Sequence, residues 1–267
     1  MRAGLLVLCL AWGQALFGAA PEPQALDLPL ASGGSDKLSV EVYRPDGTPR
    51  GVMLFLHGYM ASAAEFPFTR AWFVERGWVV TTLDLPGHGL SEGARNDIDE
   101  FSTYGDAVAL WLDWAGHQGW PGPRVLVAHS LGAAAALEAL RRPGAAHLDR
   151  VVFCAPLLRT DWYQGLSLAD HLVGSWFPDY RARAHWFLAL ERWLGQLKKV
   201  TVPLLLPLTV YSGDKDSVVD EGWNQKELKR LVPGMRWVTL AGKDHWFLTV
   251  EADRQAVHER LYADLGL

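Results

Sequence analysis

Residues 124–132 read RVLVAHSLG, and this short stretch decides the fold. The apolar run before the histidine is typical of a strand that is buried on both faces of a parallel sheet. The alanine-rich run at residues 131–142 that follows strongly favours a helix. Ser130 stands between the two, and Ala128 and Gly132 beside it are small. We therefore predict a sharp strand-to-helix turn that raises the serine hydroxyl above the sheet.

The rest of the chain repeats this alternation of apolar runs and helical patterns. Further strands are expected at residues 38–44, 52–56, 78–83, 151–155, 208–211 and 237–240, and helices at 66–76, 98–115 and 181–199. Most of the apolar runs are continuous, which indicates a parallel sheet covered by helices and hence an α/β fold. The turn signal at residues 45–47 predicts that the first two of these runs pair as a hairpin.

A helical insertion is expected between residues 157 and 200, where strand signals are absent and aromatic residues are frequent. The amphipathic helix predicted there places Trp186 on its apolar face. We interpret residues 157–200 as a cap over the strand ends, and we expect Met60, Trp162 and Trp186 to contact the substrate. The alternative is that these aromatic side chains belong to the ordinary core.

The first twenty residues differ from the rest of the chain. A positive start, a short apolar stretch and then small residues are typical of a secretory signal peptide. Its removal would leave residues 21–267 as one α/β domain. We therefore expect an exported protein, which is periplasmic, secreted or membrane-associated. A buried N-terminal helix and an uncleaved anchor are the alternatives.

Composition narrows the classes of function. The chain has 267 residues, a formal net charge of -5 and no basic run, so it lacks the electrostatic footprint of a nucleic-acid-binding protein. Cys154 would be the cysteine left after export, and its apolar neighbours favour a buried core thiol. No cluster of metal-ligating residue types accompanies His57 in the sequence, so we expect no metal site.

A serine hydroxyl becomes a good nucleophile when a histidine takes its proton, and a carboxylate in turn orients that histidine. His245 follows the last predicted strand, at the same edge of the sheet as Ser130, and is the candidate base. The other late histidine, His258, lies in a predicted C-terminal helix and is expected at the surface.

The candidate acid lies in the acidic turn after the strand at residues 208–211. This turn carries Asp214, Asp216 and Asp220, and we prefer Asp216, which lies three residues after Gly213. Spacing alone leaves Asp214 open as the main rival, and Asp220 as a weaker one.

Backbone N–H groups are the best donors to the oxyanion of such a reaction. We expect one at Leu131, where the predicted helix begins. The second is expected at Tyr59, because Gly58 permits a tight turn directly after the strand at residues 52–56. Met60 is the neighbouring alternative, and His57 is expected to hold this loop.

Four motifs together resemble the monoacylglycerol lipase and lysophospholipase branch of the α/β hydrolases, whose members are similar to serine aminopeptidases of the S33 type. They read HGY at residues 57–59, DLPGHGLSEG at 84–93, AHSLG at 128–132 and GDKDSVV at 213–219, followed by the late His245. The resemblance implies a mostly parallel central sheet of about eight strands, with helices on both faces and an inserted helical cap.

The resemblance also implies a triad of Ser130, Asp216 and His245, with oxyanion donors at Tyr59 and Leu131. The expected activity is hydrolysis of carboxylic esters with an apolar acyl group, with lysophospholipid or monoacylglycerol as leading substrates and no cofactor. A small-ester carboxylesterase, an aminopeptidase-type amidase and a non-catalytic binder of hydrophobic ligands are the alternatives. A lipid substrate would bring the cap into peripheral contact with a membrane.

Overall fold

The computed structural model describes residues 21–30, 32–159, 178–249 and 251–266, without the side chains of residues 178–184 and 251–254. The signal peptide expected at residues 1–20, residues 160–177 of the expected cap and Trp162 lie outside the described residues. The signal peptide, the bounds of the cap and the role of Trp162 therefore stay predictions.

The described residues contain a sheet of eight strands. The strands are β1 Glu22–Pro29, β2 Ser35–Tyr43, β3 Gly51–Leu56, β4 Trp78–Leu83, β5 Arg124–His129, β6 Arg150–Cys154, β7 Leu208–Gly213 and β8 Arg236–Leu240. Their order across the sheet is β1-β2-β4-β3-β5-β6-β7-β8. The β1–β2 and β2–β4 pairs are antiparallel and the other pairs are parallel, which confirms the predicted mostly parallel sheet.

Helices cover both faces of this sheet, as predicted. Within the described ranges they are α1 Pro67–Val74, α2 Ser102–Gly116, α3 Leu131–Leu140, α4 Pro178–Leu197, α5 Glu221–Leu231 and α6 Glu251–Leu265. Successive side chains of a strand point to opposite faces. Val52 and Leu54 of β3 therefore pack in one core cluster with α2 to α5, whereas Met53 and Phe55 pack in a second cluster with α1 and α6.

The predicted hairpin between residues 38–44 and 52–56 is wrong. β2 pairs instead with β4, with Val40 opposite Leu83, and β3 lies between β4 and β5. Every residue of β3 is buried, whereas burial largely alternates along β2. A strand that is apolar on both faces is stabilised most where helices cover both sides of the sheet. β3 therefore takes a central position, and β4 separates it from β2.

β1 has no counterpart among the predicted strands. It pairs with β2, with Leu26 opposite Leu38, through a tight connection at Gly33 and Gly34. Both glycines have positive φ angles, which glycine adopts without the strain that a Cβ atom would cause. The alternation of Leu26 and Leu28 with polar residues is the signal that could have identified this strand.

The surface position predicted for His258 is wrong. Its ring is buried, and Nε2 lies 2.8 Å from the hydroxyl oxygen of Thr69 in α1. Glu259 and Arg260, which follow it in α6, are exposed. These charged neighbours indicated an exposed position for His258, although one face of α6 packs against α1.

Helix α4 lies within the expected cap, and buried aromatic side chains join it to the rest of the domain. Trp193 stacks on Phe101, with ring centroids 4.4 Å apart, and donates its indole N–H to Glu138 at 2.6 Å. Trp186 stacks on Tyr59, with ring centroids 4.1 Å apart. The alternative of ordinary core packing therefore describes Trp193, whereas Trp186 is both buried and next to the candidate oxyanion loop.

Candidate active site

Ser130 lies in the turn between β5 and α3 in an unusual backbone conformation. Its φ is 51° and its ψ is -115°, a left-handed region that is strained for residues other than glycine. Two hydrogen bonds hold the turn in place. The Ser130 N–H donates to the Cys154 carbonyl at 3.0 Å, and the Ser130 carbonyl accepts from the Leu157 N–H at 3.0 Å. These bonds fix the direction in which the serine side chain points.

The small residues beside Ser130 are needed for packing. A Cβ atom on Gly132 would lie 2.6 Å from the carbonyl oxygen of His57, so the first turn of α3 passes directly against the end of β3. Ala128, which stands where glycine is usual, is fully buried in β5. The structure thus accommodates one methyl group on the strand side of the serine and none on the helix side.

Ser130, His245 and Asp216 form a continuous chain of contacts. The Ser130 Oγ lies 3.0 Å from His245 Nε2, and His245 Nδ1 lies 2.8 Å from Asp216 Oδ2. The second carboxylate oxygen of Asp216 accepts the N–H groups of Val218 and Val219 at 2.8 and 3.2 Å. With a proton on Nδ1, His245 donates to Asp216 and leaves Nε2 to accept the serine hydroxyl proton.

The charge state of Asp216 fits this arrangement. Burial raises the pKa of its carboxyl, but the hydrogen bond and charge of His245 and the two backbone N–H donors outweigh burial and hold the pKa below its ordinary value. The carboxylate is therefore ionised at neutral pH, as a group that orients a histidine must be.

The rival aspartates have other partners. The Asp214 side chain is exposed and accepts the Gly242 N–H at 2.6 Å, and Asp220 caps α5 by accepting the Trp223 N–H at 2.9 Å. Gly213 lets the loop of His245 come close to β7, because a Cβ atom there would lie 2.1 Å from the Lys243 carbonyl oxygen. The structure therefore brings Asp216, of the three candidates, to His245.

Two further histidines support the site while remaining neutral. His57 donates from Nδ1 to the Gly58 carbonyl at 2.7 Å and accepts the Leu85 N–H at 3.0 Å, and so joins the HGY loop to the end of β4. His129 Nε2 lies 3.0 Å from the His245 carbonyl oxygen and so supports the His245 loop. Burial is the main reason that the pKa of each ring falls to about 3. The role of His129 was missed, because nothing in the sequence signals this contact.

The predicted oxyanion donors both lie beside Ser130. Leu131 is the first residue of α3, and the first N–H groups of a helix have no acceptor within it. Tyr59 follows Gly58, where a Cβ atom would lie 3.3 Å from Ser130 Cβ, so this loop runs close to the serine. The role of Tyr59 and Leu131 as oxyanion donors stays a prediction.

A cavity of about 640 Å³ opens beside Ser130 and His245. Of the predicted substrate-contacting residues, Met60 and Trp186 line it, and their role in binding stays a prediction. Its further aromatic walls are Tyr59, Phe187 and Trp246. Sequence reasoning missed Glu65, an acidic residue that lines this cavity. A lone glutamate in an alanine-rich loop carries no pattern that distinguishes it from a surface residue.

Within the described ranges, no group of three or more His, Cys, Asp or Glu side chains could hold a metal ion. No described helix is long and apolar enough to cross a membrane. Cys154 is a free, fully buried thiol whose pKa is raised by burial, in agreement with the predicted core position.

A family model described as serine aminopeptidase, S33, matches residues 47–186, which is just over half of the chain. The matched range contains the HGY loop and the turn of Ser130. The chain belongs to the serine aminopeptidase S33 family. The resemblance inferred from the motifs is thereby confirmed for the family.

This S33 family member is similar to curated relatives over part of its length. It is 30% identical over 142 residues to the human monoglyceride lipase, covering 51% of this chain and 46% of that protein. It is 30% identical over 99 residues to the monoacylglycerol lipase of Mycolicibacterium smegmatis, which covers 37% of this chain and 35% of that protein. It is also 30% identical over 114 residues to the phospholipase YtpA of Bacillus subtilis, which covers 41% of this chain and 42% of that protein. The alignments therefore span less than half of each relative.

Solved structures show the fold over nearly the whole S33 family chain. A soluble variant of the monoglyceride lipase of Saccharomyces cerevisiae superposes with a TM-score of 0.70 at 15% identity, covering 93% of this chain and 96% of that one. An α-β serine hydrolase homologue from Coxiella burnetii has a TM-score of 0.60 at 18% identity, covering 91% and 97%. The α/β-hydrolase fold expected from the sequence is confirmed.

Proposed function

We propose that this protein is a serine hydrolase that cleaves carboxylic esters with an apolar acyl group. The observation that carries the proposal is the continuous contact from the Ser130 hydroxyl through His245 to Asp216, at 3.0 and 2.8 Å, beside a mostly apolar cavity. Monoacylglycerol and lysophospholipid are the leading substrates. The relatives named monoacylglycerol lipase and phospholipase support this choice.

In the first half of the proposed reaction, Ser130 Oγ attacks the ester carbonyl carbon while His245 Nε2 takes the serine proton. Asp216 stabilises the imidazolium that forms. The backbone N–H groups of Tyr59 and Leu131 donate to the oxyanion of the tetrahedral intermediate. His245 then gives its proton to the departing alcohol, and the acyl group remains on Ser130.

In the second half, His245 takes a proton from water as the water oxygen attacks the acyl carbon. Collapse of the second tetrahedral intermediate releases the carboxylic acid and returns the proton to Ser130. Each proton and electron pair is accounted for by these groups, so the proposed mechanism includes no cofactor.

Replacing Ser130 with alanine tests the proposal. We expect folded Ser130→Ala protein to lose ester hydrolysis by about 10⁵- to 10⁶-fold, because the acyl-enzyme cannot form. The wild type should react with a fluorophosphonate probe at Ser130, and circular dichroism of the variant controls for folding. Full ester hydrolysis by the folded variant would contradict the proposal. A wild type that the probe does not label would favour the non-catalytic binder of hydrophobic ligands.

The description of the family favours a second candidate, an amidase that releases N-terminal residues. Its cavity would hold a peptide side chain against the same aromatic walls. Values of kcat/KM for an ester and an amide with the same acyl group distinguish the two, with the ester preferred under the first proposal. A series of small esters of increasing acyl length would separate a lipid hydrolase from a small-ester carboxylesterase.

We further propose that residues 1–20 are removed on export and that the mature protein contacts membrane lipid through the cap and cavity rim. The exposed rim residues Met60 and Trp246 support the lipid contact, since 54% and 42% of their surfaces are accessible. Mass spectrometry of fractions from an expressing bacterium tests export. A chain shortened by about 20 residues outside the cytoplasm is expected, and a full-length cytoplasmic chain would contradict it.

A further inference from the structure

Glu65 is an acidic residue of the cavity wall that the proposed mechanism does not use. It ends a short 3-10 turn, Ala63–Glu65, after the HGY loop, and it lines the same cavity as Ser130 and His245. The side chain accepts a hydrogen bond from the Gly58 N–H. Its Oε2 atom is buried and has no hydrogen-bond partner within the part of the chain that the structure describes. Burial raises the pKa of Glu65 to about 7, as expected for a carboxylate without a cationic partner.

The surroundings of Glu65 are suited to a positive charge. The described residues that line the cavity include neither lysine nor arginine, and four of them are tyrosine, tryptophan or phenylalanine. Aromatic faces attract cations, most strongly those of tryptophan, and Trp246 lies at the cavity rim beside His245 with ring centroids 5.0 Å apart. A carboxylate and an aromatic ring are the two groups that proteins combine to bind ammonium ions.

The position of Glu65 indicates which part of the substrate it would meet. Glu65 and His245 line the same cavity, and the charge of His245 lowers the pKa of Glu65. In the proposed reaction His245 protonates the departing alcohol. The alcohol therefore departs into the cavity that Glu65 and Trp246 line, and Trp246 lies next to His245.

We infer that Glu65 and Trp246 form a subsite for an ammonium group carried by the alcohol part of the ester. This inference rests on the proposed function and narrows its substrate class. Esters of cationic alcohols are favoured over neutral esters of the same shape. Esters with an anionic group at this position are disfavoured, because that group would face a carboxylate with no described lysine or arginine in the cavity.

Two esters that differ in one atom test the subsite. Decanoylcholine carries a quaternary ammonium, and the decanoate ester of 3,3-dimethylbutanol replaces the nitrogen with carbon at nearly the same volume. The wild type should hydrolyse the choline ester with a kcat/KM about tenfold higher, within the range of a partly desolvated ion pair and cation–π contact. Choline should inhibit hydrolysis of a neutral ester more strongly than 3,3-dimethylbutanol does.

Three variants test whether the preference for the choline ester depends on Glu65 and Trp246. Glu65→Gln retains an acceptor for the Gly58 N–H but removes the charge, and should bring the ratio of the two kcat/KM values close to one. Trp246→Leu, at a partly exposed site, should lower the ratio in part. Glu75→Gln is the matched control, because it removes the same charge from an exposed position outside the cavity, and should keep the wild-type ratio.

The outcomes separate the subsite from the proposed function. A wild-type ratio near one, or a ratio that Glu65→Gln leaves unchanged while both rates fall, overturns the subsite and leaves Glu65 as a support for Gly58. Ester hydrolysis that still depends on Ser130 in that case keeps the proposed function. Absence of Ser130-dependent hydrolysis of any ester overturns the proposed function and the subsite together. Titration with a fluorophosphonate gives the concentration of folded, reactive protein for each variant.

Discussion

Asp214 and Asp216 lie two residues apart in one turn, yet their carboxylates have different neighbours. Asp216 contacts His245 and two backbone N–H groups, whereas Asp214 accepts the Gly242 N–H and faces solvent. The contacts of Asp216 hold the pKa of its carboxyl below the ordinary value despite burial. Whether an aspartate orients a base thus depends on its surroundings and not on its residue type.

A pair of isosteric variants tests this difference. Asp216→Asn should lower kcat by about 10⁴-fold. The amide oxygen would keep the two backbone N–H groups, so the amide NH2 would donate to His245 Nδ1 and favour the wrong tautomer. Asp214→Asn removes the same charge from the same turn and should stay close to the wild-type rate. Steady-state kinetics on one ester measure both. An equal loss in the two variants would mean that the turn as a whole, and not the contact with His245, is required.

The turn from β5 into α3 combines backbone strain with close packing. The positive φ of Ser130 is maintained by bonds to Cys154 and Leu157, and Gly132 leaves room for the backbone of β3. The HGY loop follows directly after β3. Gly132 therefore links the two geometries, because a larger residue there would displace either the turn of Ser130 or the start of the HGY loop.

Two glycine-to-alanine variants in helices should have opposite effects. Gly132→Ala places a Cβ atom 2.6 Å from the His57 carbonyl oxygen, and we expect it to lower the free energy of unfolding by about 1–3 kcal/mol and to reduce activity. In Gly195→Ala, in α4, the new Cβ atom meets no atom of the described residues within 4 Å. This variant should raise the free energy of unfolding by about 0.5–1 kcal/mol through helix propensity. Urea denaturation measures both changes. A neutral Gly132→Ala would show that α3 can move away from β3.

At the scale of the whole molecule, neutral histidines in the interior connect the fold to pH. His57 and His129 are fully buried, and the pKa of each lies near 3, below the ordinary value of 6.5. Between these values the unfolded chain binds protons that the folded protein does not. The stability contributed by each neutral ring is therefore complete above about pH 6.5 and is lost as the pH falls toward 3.

The free energy of unfolding should accordingly decrease as the pH falls from about 6.5. Each of the two histidines contributes up to about 1.4 kcal/mol per pH unit in this window. His57→Gln should have a smaller decrease than the wild type, whereas His147→Gln, at an exposed position, should keep the wild-type slope. Urea denaturation at pH 7, 6, 5 and 4 measures the slopes. Identical slopes for all three proteins would contradict the role of His57.

Local patterns along the chain were sufficient to predict the fold class, the family and the order of the candidate residues. The continuous apolar run before Ser130 and the alanine-rich run after it predict the strand, the turn and the helix, because each depends on neighbours in sequence. The order of Ser130, Asp216 and His245, each after a strand, places them at one sheet edge. The signal peptide, the bounds of the cap and the oxyanion donors are still predictions.

Contacts between distant parts of the chain decided the strand order and which side chains are buried or line the cavity. β3 lies beside β4 and β5 and not beside β2, because helices cover both of its apolar faces. His258 is buried by α1, and Glu65 reaches the cavity from a loop whose sequence has no distinguishing pattern. Strand order, burial and the contact of His245 with Asp216 rather than Asp214 are set by which surfaces meet in three dimensions. These tertiary contacts depend on packing energies summed over the whole domain, and the spacing of residues along the chain does not specify the contacts.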